Sequence, residues 1–342
     1  MSKTTMASSN NLSPKQVDSK LLTAVKLNSF WDKFSDTSGS NLVHNKVDLM
    51  TKKGGIIYFG LRPRLRQGFL PVGSNIEGNE SALTVYSSSV EIERWAFAIR
   101  DDGSMTRQLA GFNLSEESMQ SLGQQGAENI DLKMFEALDK TNTKVLYWDS
   151  TGAFKSTATL ATATTAITAS NKLTAEKIIQ MKTFAMAQRS DTYPLRPIKQ
   201  NGEDWLVLLT HPDNLADLEQ DSTFKNARMY ALERGKSNPL FTGAWAAYSG
   251  VIIYAHQNIA VASTGGSGGD VYYTRSHLLG QQALTMAYAK LPFISDKDFD
   301  YGEEQGYAFI TLAGVKKAQF NSVDYGSVDI ITAATEIAGA VY

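Results

Sequence analysis

The sequence predicts an α+β fold, on three observations. Apolar β-rich runs occur at residues 56–59, 205–209 and 251–254, separate segments keep the three-and-four spacing of amphipathic helices, and the two do not alternate as regular βαβ units. The chain has 342 residues, enough for one large domain or two modest ones.

The first fifty residues do not read as a core. Residues 1–13 are rich in Ser, Thr and Asn, a composition that buries too little to offset its ordering entropy. Pro14 can open a helix, and Val17, Leu21, Val25, Asn28, Trp31 and Phe34 then fall on one face. An amphipathic helix this close to the end of a chain needs something to dock on, and a neighbouring subunit is the expected acceptor.

From Gly54 the pattern changes to strand. Residues 56–59 lead into Arg62-Pro63-Arg64-Leu65-Arg66 and a turn-rich tip containing Gly68, Pro71, Gly73 and Gly78. The return run alternates through Val90 and Ile92, then Trp95, Phe97 and Ile99, with a one-residue shift near Arg94 that predicts a bulge. The whole reads as a long hairpin over 54–102. Three alternating arginines suit intersubunit ion pairs or a solvated edge better than a phosphate site, and Glu77 and Glu80 are the candidate partners by position.

The longest helical pattern follows. Asn113 to Ser115 offer caps, Glu116 and Glu117 sit in the favourable first turn, and Met119, Leu122, Gly126, Ile130, Met134, Ala137 and Leu138 keep helical spacing. Residues 152–169 are Thr/Ala-rich and predict an exposed loop. Beyond them the expected elements are a helix at 174–188, a strand at 205–209, a short helix at 214–219 and a strand at 251–254. A glycine tip at 265–269, a helix at 278–290 and a strand at 328–332 complete the series. The triplets Asp300-Tyr301-Gly302 and Asp324-Tyr325-Gly326 form a matched pair.

Motifs for chemistry are weak. Gly265-Gly266-Ser267-Gly268-Gly269 matches the letters of a nucleophile elbow, but that motif needs a strand turning into a helix, and here a strand-like run follows. With Asp270 it also fits one unit of a calcium-binding nonapeptide repeat, which works only in stacked copies. His44, His211, His256 and His277 have no metal-ligand spacing and read as packing or surface histidines. No phosphate-loop or dinucleotide-binding glycine pattern occurs. The expectation is no catalytic residue, no cofactor and no metal.

Composition narrows the class further. Lys plus Arg number 33 against 35 Asp plus Glu, without the basic surplus of a protein that grips a phosphate backbone. Cysteine is absent, which closes disulfides, thiolate zinc sites and a Cys nucleophile. The polar start lacks a secretory apolar stretch, and no run approaches the roughly 20 apolar residues of a membrane span. Synthesis and folding in the cytoplasm, without a membrane, are expected.

The order of parts resembles the tailed-phage (HK97-like) capsid fold. In detail it looks most similar to the major capsid proteins of N4-like phages. The stretches that carry the resemblance are Phe59-Gly-Leu-Arg-Pro-Arg-Leu65, Ile76-Glu-Gly-Asn-Glu-Ser-Ala-Leu83, Gly111-Phe-Asn-Leu-Ser115, Leu206-Val-Leu-Leu-Thr-His-Pro212, Asn238-Pro239-Leu240, Gly250-Val-Ile-Ile253, Gly314-Val-Lys-Lys-Ala-Gln-Phe-Asn321 and Asp324-Tyr325-Gly326. Their order and spacing are specific; no single one is. The resemblance implies an N-terminal arm (1–53), an extended E-loop hairpin (54–104), a P-domain with a spine helix (105–150), mainly A-domain (151–290) and a C-terminal segment returning to the body (291–342).

It also implies a subunit that self-assembles into hexamers and pentamers, forming an icosahedral shell around double-stranded DNA held without sequence-specific contacts. Portal and scaffolding or decoration proteins are the implied partners, and the virion, assembled in host cytoplasm, the implied location. The contact residues expected between subunits are Val17, Leu21, Val25, Trp31, Phe34, Arg62, Arg64, Arg66, Glu77 and Glu80. Two alternatives stay open: another phage structural or surface-array protein, which would form tubes or flat sheets, and a hydrolase centred on Ser267.

Overall fold

A computed structural model describes residues 29–47, 50, 54–61, 69, 71, 75–77, 79–80, 85–109, 114–187, 194–200, 202–231 and 246–336. In chain order the elements begin with β1 (Ser35–Asp36), β2 (Val43–Lys46), β3 (Ile56–Leu61), β4 (Tyr86–Glu91), β5 (Glu93–Arg100), α1 (Ser104–Leu109) and α2 (Leu114–Asp139). They continue with β6 (Val145–Trp148), β7 (Phe154–Thr157), α3 (Leu160–Ala166), α4 (Ala175–Met186), β8 (Ile198–Gln200), β9 (Glu203–Thr210), α5 (Pro212–Gln220) and α6 (Ser222–Ala231). Last come β10 (Ala246–Tyr248), β11 (Val251–Ala255), β12 (Val261–Gly265), β13 (Val271–Leu279), β14 (Leu284–Phe299), β15 (Glu304–Lys317), β16 (Gln319–Phe320), β17 (Val323–Asp324) and β18 (Ser327–Ala333). The mixture is α+β, and it divides into two compact units.

The first unit comprises residues 1–57, 91–138 and 286–316. Among the described residues its sheet has the order β1-β2-β14-β15-β5. Strands β5 and β15 run antiparallel, Arg100 opposite Gly306 and Glu93 opposite Ala313, with Phe97 stacked on Phe309 at 5.0 Å. Helix α2 buries Leu122, Ile130, Met134, Ala137 and Leu138 of the stripe read from the sequence, together with Ala127 and Phe135, which the sequence reading did not include; Met119 is only half-buried. Gly126 lets the helix approach the sheet: a Cβ there would lie 2.6 Å from the Phe309 ring.

The second unit comprises residues 58–90, 139–285 and 317–342. Its larger sheet runs β10-β11-β9-β13-β18-β6-β7, with β12 added to β13 and β8 to β9. Buried runs such as Leu206, Val207, Leu208 and Leu209 place β9 in the middle of this sheet, parallel to β11. Helices α4 and α5 cover it through Ile178, Met181, Leu215 and Leu218. His211 accepts from the Asp213 N–H, and Pro212 opens α5.

Five expectations are corrected. The helix expected over 14–34 is not present over its described part, 29–34, the rest lying outside the described residues: residues 32–34 form a 3-10 turn, and the Asp131 carboxylate takes hydrogen bonds from the Ser29 hydroxyl (2.7 Å) and the Phe30 N–H (2.6 Å). The predicted hairpin over 54–102 divides at Ile92. Strand β4 pairs with β3, whereas β5 leaves to pair with β15, so the period shift seen near Arg94 marks a change of sheet and not a bulge.

The expected loop over 152–169 contains β7, paired with β6, and α3, which buries Ala163 and, just beyond it, Ile167 against Val145 and Ile331. The helix expected over 278–290 is instead the end of β13, a turn and the start of β14. Strand pairing across Leu278–Leu208 and Leu278–Val328 overrides the local helix preference of a Leu/Gln/Ala-rich run. The triplets are not twins either: Tyr301 sits fully exposed at a left-handed turn (φ 55°), while Tyr325 is buried.

Candidate functional site

The residues expected at subunit contacts separate into groups. Val17, Leu21, Val25, Arg62, Arg64 and Arg66 lie outside the described residues. Trp31 and Phe34 are buried within the chain itself, where Trp31 meets Phe135 of α2 at 5.2 Å between ring centres and Phe30 at 5.4 Å. Glu77 and Glu80 are exposed, beside a turn closed by the Asn79 N–H on the Ile76 carbonyl.

Strand β3 carries exposed apolar side chains. Its side chains alternate, so Ile57, Phe59 and Leu61 turn inward while Ile56 (44% exposed) and Tyr58 (63%) face out. Within the second unit, Leu61 and Tyr86 pack on Phe320 and Tyr325, so the base of this ribbon has its own core. Further along, Phe69 (107%), Ile76 (75%) and Val85 (57%) are exposed. Helix α1 adds Met105 and Leu109, both mostly exposed. Exposed large apolar side chains on the ribbon, and separately on the short helix α1, have the composition of surfaces that a partner covers.

A second cluster escaped the sequence. In the second unit, Lys317, Asp324, Asp329, His277 and Arg275 are all buried. The Lys317 ammonium lies 3.2 Å from Asp324 Oδ2, 3.3 Å from Asp329 Oδ1 and 3.2 Å from Asn142 Oδ1. His277 holds Asp329 through Nδ1 (2.8 Å) and Asp139 through Nε2 (3.2 Å). Arg275 reaches Asp329 at 3.3 Å and donates to the Asp139 carbonyl at 2.6 Å. Asp324 also accepts from the Thr143 N–H (2.9 Å) and the Gln319 amide (2.7 Å).

The electrostatics follow from this geometry. Burial pushes the Asp329 carboxyl up, but Lys317, His277 and Arg275 outweigh it and bring it down to about 2. Burial pushes His277 down, and hydrogen bonds and charge from Asp139 and Asp329 more than reverse this, so its net direction is up. Burial lowers Lys144 to about 8 against the pull of Asp324. His277, read from sequence as a packing or surface histidine, is a buried member of an ion network. No spacing signal could reveal it, because its members come from α2, β13, β15, β17 and β18.

The arrangement locks structure and offers little to a substrate. Most polar ends in the network are hydrogen-bonded, Arg275 Nε and Asp139 Oδ1 facing each other at 3.4 Å without a hydrogen bond, and among the described residues no group of three or more His, Asp or Glu is placed to hold a metal ion. The glycine stretch at 265–269 is the tip between β12 and β13, strand to strand, so Ser267 lacks the strand-to-helix turn of an elbow. Among the described residues no helix is long and apolar enough to cross a membrane.

Comparison with known proteins gives a consistent picture. The family described as phage capsid protein matches residues 4–337. The major capsid protein of Pseudomonas phage KPP25 is 24% identical over 307 residues, covering 77% of this chain and 80% of that one. The capsid of Ralstonia phage GP4 superposes with a TM-score of 0.78 at 20% identity, over 99% of this chain and 97% of the other. The capsid of cyanophage Pam1 gives 0.77 at 22% identity, over 98% and 100%.

Proposed function

The chain belongs to the phage capsid protein family, and we propose from that premise that it works as the major capsid protein of its virion, an HK97-like subunit that builds the shell by self-association. The observation that carries this reading is the extent of the family match, residues 4–337, which leaves no room for a separate catalytic domain within the chain.

In this reading the subunits form hexamers and pentamers that close into an icosahedral shell around double-stranded DNA. Closed symmetry requires the same surface patches on every copy, and the exposed ribbon and α1 supply them. A charge balance of 33 basic to 35 acidic residues suits a container that must not adhere to its cargo. Portal and scaffolding or decoration proteins complete the particle, and assembly takes place in host cytoplasm. The ribbon of β3 and β4 acts as the base of the E-loop, α2 as the spine of the P-domain, and the nine-stranded sheet as the A-domain body.

Sedimentation velocity tests this. Concentrated protein should populate capsomer-sized and larger species in slow exchange with subunits. A compact 37.4 kDa monomer at every concentration and salt would refute the proposal.

A further inference from the structure

Strands β14 and β15, of 16 and 14 residues, join at the turn Asp300-Tyr301-Gly302. All three residues have left-handed backbone, with φ of 45°, 55° and 89°. Glycine adopts that conformation freely and aspartate tolerates it, but a tyrosine there is strained by its own Cβ. No burial rewards the strain, because the Tyr301 ring stands fully in solvent. The turn is held by its surroundings, the Glu303 N–H donating to the Asp300 carbonyl at 3.0 Å. A strained residue fixed in this way, with its side chain presented to solvent, marks a site used by something outside the chain.

The same turn anchors helix α1. Glu303 Oε1 accepts from the Ser104 N–H (3.0 Å) and hydroxyl (2.5 Å), and Arg107 donates to the Glu303 carbonyl while lying 3.2 Å from Asp101. Six residues with none buried would not hold a helix alone, so these polar contacts fix α1 in place. They leave Met105 and Leu109, one turn apart, 70% and 77% exposed. Charge at this end of the first unit is lopsided. Asp296, Asp298 and Asp300 are exposed, as is Glu303. The nearby cations are engaged: Arg100 with Glu304 and over the Phe299 ring at 4.3 Å, Lys297 over the same ring at 4.9 Å, and Arg107 with Asp101. Among the described residues no cation forms an ion pair with Asp296, Asp298 or Asp300.

We propose that this end docks a basic segment of a second virion protein, one that sets arginine or lysine beside an apolar side chain. The partner's apolar group covers Met105 and Leu109. Its cation lies over the Tyr301 ring and faces Asp298 and Asp300, so that ring and carboxylates act together. Two copies of the chain meeting through this same end would set carboxylate against carboxylate, which disfavours the self-contact. The proposal rests on the capsid reading and gives α1 a partner besides the chain itself.

Fluorescence anisotropy tests it, with a labelled peptide of alternating arginine and leucine titrated by the full-length, unassembled subunit. The arginine peptide should bind, and a peptide of alternating glutamate and leucine should not. Tyr301→Asn keeps the left-handed turn, so it should unfold at the same or higher urea concentration, yet weaken peptide binding at least fivefold. D298N with D300N should weaken it at least tenfold. E128Q with E136Q, an equal charge change on the exposed face of α2, should leave it unchanged. Equal affinity of all variants, or an equal loss in the α2 control, overturns the inference. So does loss of particles in Tyr301→Asn with peptide affinity intact, which would assign the surface to contacts between copies. A native chain that binds the peptide but never forms particles would instead overturn the capsid reading and leave the docking surface standing.

Discussion

Lys317 and Asp329 form an ion pair inside the protein, Nζ to Oδ1 at 3.3 Å, with exposures of 2% and 0%. Two buried charges gain little net stability as a pair, but removing one leaves the others uncompensated. Asp329→Asn strands the Lys317 ammonium, the Arg275 guanidinium and His277 at once, and should cost about 3–5 kcal/mol. Lys317→Met should cost less, because Asp324 keeps Thr143 and Gln319 while Asp329 keeps His277 and Arg275. Urea unfolding of the unassembled subunit measures both; equal, small losses would show that the network is not coupled.

The same network sets a pH dependence. His277 is raised in the fold above its ordinary 6.5, so the native state binds its proton more tightly. Its contribution is complete below 6.5 and is lost as pH rises through the raised value. Asp329, lowered from 3.8 to about 2, contributes above 3.8 and loses that contribution only as pH falls toward 2. Lys144, lowered to about 8, works in the opposite direction to His277 from there upward, so the clean window is pH 5 to 8. Across it the urea midpoint should fall in the native chain and stay flatter in His277→Asn. Parallel profiles would contradict the assignment.

How much of this was legible in the sequence depends on the range of the interaction. Helix α2 was legible because Leu122, Ile130, Met134 and Leu138 repeat locally on one face, and β9 and β11 because each is a short, wholly apolar run between breaks. The 278–290 segment was not, since pairing with Leu208 and Val328, far away in the chain, decides its conformation. Gly280 and Gly326 are part of that answer: a Cβ on either would lie 2.5 Å from a backbone carbonyl, a closeness invisible from sequence. The buried ions likewise depend on residues far apart in number. Trp31 and Phe34 were read as docking on a neighbour; within the chain Trp31 packs on Phe135, and Phe34 on Phe30 and Trp31.

That burial changes how the arm should be cut. Deleting residues 1–28 spares Trp31 and its contacts with Phe30, Phe34 and Phe135, and should leave a folded subunit that assembles poorly. Trp31→Ala removes a fully buried ring and should destabilise the subunit itself by about 3–5 kcal/mol. Normal particle yield from the truncated chain would remove the arm from the assembly account.

The shell should be held without covalent cross-links between subunits. Residues 54–132 contain six arginines and no lysine, and the chain has no cysteine. A guanidinium stays protonated and is a poor nucleophile, so it cannot form the amide that a hairpin lysine could. Particles boiled in detergent should run as a single band at monomer mass; a ladder of multimers would show that a link exists.

The central claim, that this chain closes into an icosahedral shell, is tested most directly by electron micrographs of the purified, concentrated protein. The account predicts closed particles with hexameric and pentameric capsomers. Helical tubes, flat two-dimensional sheets or dispersed monomers under every condition would contradict it.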